Sequence, residues 1–157
     1  MSTVEQRLAE LGHTVPEVVP PVGSYVPALQ QGELVFTSGQ LPMVGGELPA
    51  TGKVGDGEGL VDPVEAQRLA GLCALNAIAA VKSVVGDLDR VTRVVKVVGF
   101  VASDPSFTGQ PGVVNGASDL LARAFGEAGV HARSAVGVTS LPLDTPVEVE
   151  VVVAVRD

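Results

Sequence analysis

The chain has 157 residues, 46% hydrophobic and 18% charged, with ten basic residues against eighteen acidic for a net charge of -8. That length and composition suit a single globular domain, 1–157, with a core of its own. The negative balance and the absence of any basic run argue against nucleic acid or a membrane surface as partner, although one local arginine can still hold a small anion.

Residues 2–11, STVEQRLAEL, read as a short amphipathic helix opened by a Ser2/Glu5 capping box. They do not have the basic-then-apolar pattern of a leader, and no apolar run is taken to reach the length of a membrane span. The expectation is a soluble, unprocessed, cytoplasmic protein. The single cysteine, Cys73, fits a reducing setting, since it has no internal partner. HTVPEVVPPVGS follows, an extended connector with three prolines. Residues 1–22 thus form an N-terminal helix and connector. YVPAL and ELVFTSG, separated by QQG, predict a β-hairpin. Residues 42–59 are glycine-rich loop with a short strand near Lys53–Gly55.

The first long helix starts at Asp62 as N-cap, with Pro63 in its first turn and Glu65 completing a capping box. It runs to Val85 and stops at Gly86. A strand spans Val91–Ser103, a second helix Val113–Phe125 ending at Gly126, and two strands close the chain at Ala132–Val138 and Pro146–Arg156. The order ββ(β)αβαββ is an α+β layout. On the central strand, strict alternation puts Val91, Arg93, Val95, Val97 and Val101 on one face and Thr92, Val94, Lys96, Val98 and Phe100 on the other. Both faces look largely buried, as they do on the last strand beyond Glu150. Two long helices cover one face only. The other is expected to pack against further copies of the chain, unless the N-terminal helix supplies part of the cover.

Arg133 opens a stretch, to Val155, with no further basic residue; Glu148 and Glu150 lie on one face of its last strand. Arg133 shares a face with the small residues Ala135 and Gly137. A guanidinium with room around it can hold a carboxylate through two parallel hydrogen bonds, and a nearby glutamate can hold a water as general base. The competing reading is an ordinary Arg–Glu ion pair at a sheet end. His13 and His131 are far apart, lack a metal-ligand pattern and are read as surface or loop residues. Cys73, mid-helix among alanines and leucines, is read as a small buried hydrophobe. Asn76 is read as a satisfied core amide. Ser38 lacks the G-x-S-x-G elbow, and GDGEG lacks the lysine of a phosphate loop. Tyr25, the chain's one tyrosine, can pack or turn its phenol into a pocket.

Five stretches, GSYVPALQQGELVFTSGQLP, AQRLAGLCALNAIAAV, VVKVVGFVASDPSF, VVNGASDLL and FGEAGVHARSAVGVTSLPLDTPVEVEVVVAV, together resemble the YjgF/Rid superfamily, the reactive-intermediate deaminases also called the endoribonuclease L-PSP family. The resemblance runs from Gly23 nearly to the end. It is most specific where ARSAV and LP precede VEVE, and its wording points to a branch distinct from the best-known 2-iminopropanoate deaminases. It implies a chorismate-mutase-like α+β fold, a mixed sheet packed by two long helices, assembled as a homotrimer around an internal sheet barrel with ligand clefts between subunits. It also implies hydrolysis of 2-imino or enamino acids to 2-oxo acids and ammonia, without metal or cofactor. Arg133 would grip the substrate carboxylate and Glu148 would position the attacking water, with Tyr25, Asn115 and Ala135 lining the cleft. Ala135 stands where the family's deaminases commonly carry cysteine, and Gly137 where a larger polar residue is common. Two alternatives remain: a non-catalytic carboxylate-binding or regulatory protein using the same cleft, and a ribonuclease or translation inhibitor, which the acidic charge and few aromatics disfavour.

Overall fold

The computed structural model describes residues 1–157. Five strands form one mixed sheet: β1 (Ala28–Gln31), β2 (Leu34–Thr37), β3 (Val91–Ala102), β4 (Ala132–Val138) and β5 (Val147–Val155), in the order β1-β2-β5-β3-β4. Only the β3–β4 pair is parallel; the others are antiparallel. Helices α2 (Pro63–Val85) and α3 (Gln110–Phe125) pack against each other and cover one sheet face, and α1 (Thr3–Glu10) lies against α3. The architecture is the expected α+β one.

The capping signals act as read, with one difference. Ser2 and Glu5 form both bonds of the capping box of α1. At α2 the Asp62 carboxylate accepts from the Val64 N–H, but Glu65 turns away and holds Arg68 at 2.7 Å instead. The α2 helix is long and apolar enough to cross a bilayer, contrary to the expectation that no run is. It lies instead in the core, where a near-continuous run from Cys73 to Val81 is buried. At Gly116, α3 comes so close to α2 that an added Cβ would stand 1.8 Å from the Gln67 carbonyl oxygen. Only glycine permits that approach.

Beyond single-residue shifts at the ends of β3 and β5, three readings change. Helix α3 begins at Gln110 rather than Val113, because Pro111 suits the first helical turn. The hairpin turn is Gly32–Glu33, with Gly32 at φ +61°, so Gln30 and Gln31 belong to β1 and Tyr25 precedes it. The loop strand near residue 54 reduces to single bridges from Val54 to Val61 and Ser103.

The strict alternation on β3 also fails. The pairing of β3 with β5 slips between Val91 and Arg93 and again between Val94 and Lys96. Each irregularity inserts a residue and reverses the phase. Val91, Val94, Val97 and Val101 therefore face the helices, while Arg93 and Val95 are exposed. On β5 the alternation is regular: Val147, Val149, Val151, Val153 and Val155 are buried, and Glu148, Glu150, Val152 and Ala154 are half-buried on the opposite face. That outer face also carries Val98 and Phe100, half-buried, and Phe36, exposed. Helix α1 packs on the helix side, through buried Val4 and Leu8, and gives it no cover.

Candidate functional site

Arg133 lies on β4 opposite Val97, so its side chain rises on the helix side of the sheet. There the N-terminal half of α3 receives it. Nη1 donates to Asn115 Oδ1 at 2.7 Å and to Ser118 Oγ at 3.3 Å, and Nη2 donates to the Pro111 carbonyl at 3.2 Å. Nε has no acceptor within the chain, so the guanidinium is held along one side and keeps donors for a ligand. Asn115 and Ser118 are three apart, which places both on one face of α3.

A further bond holds this cradle. His131 Nδ1–H donates to the Gly129 carbonyl at 2.5 Å. In the neutral ring that leaves Nε2 as acceptor for the Ser118 hydroxyl, 2.9 Å away. The chain of bonds runs from Arg133 through Ser118 and His131 to the backbone of the turn before β4. His131 is thus a half-buried member of the Arg133 cradle and not the plain surface or loop residue expected. Ser118 was not singled out in the sequence at all.

Glu148 stands elsewhere. It pairs with Phe100 on the outer face, whereas Arg133 pairs with Val97 on the helix face. The expected Arg–Glu ion pair is therefore absent: the chain's ion pairs are Arg68–Glu65 and Lys82–Glu5. Within one chain the alternation of the pleat also keeps Glu148 away from Arg133. Partial burial raises the Glu148 pKa above its ordinary value of 4.5, and the charge of Glu150 on the same face adds to this.

The surroundings of Glu148 are made by an interruption in sheet pairing. After β2 the Thr37 hydroxyl accepts the Val151 N–H at 3.0 Å in place of a backbone carbonyl, and regular pairing resumes at Gln40 with Val149. Gly39, between them, lies directly against Glu148: a Cβ there would stand 2.0 Å from Glu148 Oε1. Gly39 also lines a small pocket with Tyr25, Val22 and Leu41. Tyr25 is 46% exposed, and its phenol oxygen accepts the Val22 N–H at 3.1 Å. Tyr25 and Glu148 thus belong to one cluster and Arg133 and Asn115 to another. Ala135 follows Arg133 on β4, partly buried against the core, and Gly137 lies beneath the Gln110 amide, 2.7 Å from where a Cβ would be.

Asn76 and Cys73 are where the sequence puts them. Asn76 is buried and donates to the Leu41 and Met43 carbonyls at 2.8 and 3.1 Å. Cys73 is fully buried, and desolvation drives its thiol pKa well up, which suits a packing residue and not a nucleophile.

The family model described as "YjgF/chorismate mutase-like, putative endoribonuclease" matches residues 5–154. Protein TCP17 of Trypanosoma cruzi is 43% identical over 155 residues, covering 98% of this chain and 95% of that protein. The crystal structure of Atu1372 from Agrobacterium tumefaciens, a protein of unknown function, superposes with a TM-score of 0.90 at 47% identity, covering 98% of this chain and 93% of that one. The E. coli protein TdcF, solved with bound serine, gives a TM-score of 0.62 at 28% identity over 90% of this chain and 94% of that one.

Proposed function

The chain belongs to the YjgF/chorismate mutase-like family, and from that premise we propose that it hydrolyses 2-imino or enamino acids to 2-oxo acids and ammonia in a cleft between two subunits. The observation that carries this reading is the state of Arg133: braced by Asn115, Ser118 and the Pro111 carbonyl, yet not spent on any carboxylate of its own chain. A braced guanidinium with a free side is suited to a bidentate carboxylate. A family relative solved with bound serine, a small molecule bearing a carboxylate, agrees with such a ligand.

The two-cluster geometry supports assembly. Arg133 with Asn115 and Glu148 with Tyr25 are each half of a site, and a second copy of the chain can bring the missing half. The uncovered outer face, with Phe36, Val98, Phe100 and Val152, supports packing of three copies through their sheets around an internal barrel. Light scattering should then give three times the 15.9 kDa chain mass. A monomer would overturn this part.

In the reaction, Arg133 holds the carboxylate and orients the C=N bond. Glu148, with its raised pKa, takes a proton from water as the water oxygen bonds to the imine carbon. That proton passes to the imine nitrogen to give the carbinolamine, whose hydroxyl proton then moves to nitrogen as the C–N bond breaks, so that ammonia leaves as the C=O forms. Atoms balance with one water per imine and no redox change. The test is to generate 2-iminopropanoate with an amino-acid oxidase and follow its loss. Acceleration over buffer that disappears in Arg133→Ala is the expected result. Calorimetric binding of 2-oxo acids with no acceleration would instead establish the non-catalytic carboxylate-binding alternative. The family description names an endoribonuclease, but a net charge of -8 without a basic run disfavours holding an RNA backbone.

A further inference from the structure

The connector after α1 builds one wall of the Tyr25 pocket. Val19, Pro20 and Val22 line it from one side, Leu41 and Met43 from the other, with Gly39 and Tyr25 between. Its volume is about 30 Å³ and no charged side chain lines it. That is room for a water or two, or for one small substituent.

Both walls are fixed. The connector carries Pro16, Pro20 and Pro21, whose locked φ stiffens it, and Val15 packs against the core. The Val22 N–H holds the Tyr25 phenol oxygen at 3.1 Å. Opposite, the Asn76 amide grips the carbonyls of Leu41 and Met43, tying that wall to α2. Gly39 joins the pocket to the carboxylate of Glu148, so a molecule reacting at Glu148 has this pocket beside it.

We propose that connector residues 19–22 are the specificity-determining wall of the cleft: by pinning Tyr25 and closing the pocket they exclude charged and branched substituents from acids held for reaction at Glu148. This rests on the carboxylate-binding reading above. The N-terminal segment is therefore part of the site, and its side chains set which acids enter.

The chain has one tyrosine and no tryptophan, so tyrosine emission reports this pocket alone. The full chain is titrated with pyruvate and with 4-methyl-2-oxopentanoate, following Tyr25 emission with calorimetry in parallel. The native protein should bind pyruvate and discriminate against the branched acid. Val19→Ala and Val22→Ala, changes at non-core positions that leave folding intact, should raise the affinity for the branched acid relative to pyruvate about tenfold, the scale of a methylene or two in a hydrophobic pocket. Equal affinity for both acids in the native protein, or an unchanged ratio in both variants, overturns the wall. Failure of the native protein to bind any 2-oxo acid overturns the carboxylate reading and the wall with it. That outcome is distinguishable because it appears before any substitution is made.

Discussion

Arg133 and Glu148 project from opposite faces of one sheet, the first beside Val97 against α3 and the second beside Phe100 on the uncovered side. No side-chain rotation brings them together through a packed sheet, so a cleft using both draws them from two copies. Arg133→Ala and Glu148→Gln should each be inactive alone. Mixed, unfolded and refolded together, they should recover about a quarter of the native activity, since random assembly leaves that share of clefts with both native groups. No recovery, with mixed oligomers demonstrated, would mean that the two residues do not share a cleft.

The cradle of Arg133 predicts a graded series. Arg133→Ala removes charge-assisted bonds of about 1.5–3 kcal/mol, so ligand affinity should fall roughly 10–100-fold. Ser118→Ala removes one brace, a neutral partner worth about 1 kcal/mol, and should raise KM roughly fivefold with kcat nearly unchanged. His131→Gln, which can still offer Ser118 an acceptor, should lie closer to native than His131→Leu. Steady-state kinetics across the series checks it; equal loss in the two His131 variants would remove His131 from the cradle.

Much of this was legible before the structure. The Asp62–Pro63 start and Gly86 stop mark α2 because capping chemistry is local, and β5 alternates cleanly because nothing interrupts its ladder. The phase of β3 was not legible: its two slips arise from pairing with β5, a partner roughly fifty residues away in sequence. Arg133, Glu148 and Tyr25 stood out as residue types in their places and Asn115 through the family resemblance, but their separation into two clusters follows from which face each strand residue takes. Ser118 was recoverable, since it lies one helical turn from Asn115. His131 was not, because its bond to Ser118 depends on how the turn at Gly129 presents β4 to α3.

In the proposed reaction Glu148 sets function against stability. Its folded-state pKa lies above the ordinary 4.5, through burial first and Glu150 second, so the charged form is disfavoured in the folded chain. A raised carboxyl pKa costs stability above the folded pKa, and the cost fades as pH falls toward the unfolded value. Glu148→Gln should therefore raise the thermal midpoint near neutral pH, with the gain vanishing below about pH 4.5. The same variant should lose about 10²–10⁴-fold in rate, the usual contribution of a general base. Calorimetric melting across pH checks the first part; a gain that persists in acid would mean that charge is not its cause.

Gly39 allows Glu148 to be moved without being replaced. Its backbone lies outside the left-handed region, so alanine meets no conformational strain there. The added Cβ would stand 2.0 Å from Glu148 Oε1 and 2.8 Å from its carboxyl carbon, a contact with the mobile end of a side chain that must swing aside. Gly39→Ala should accordingly leave the melting temperature close to native. A displacement of about 1 Å at a catalytic group is enough to cost roughly 10²-fold in rate, and the loss should appear in kcat, since Arg133, the proposed carboxylate anchor, is untouched. Gly39→Ala with native kcat and native stability would show that the Glu148 carboxylate does not work from this position.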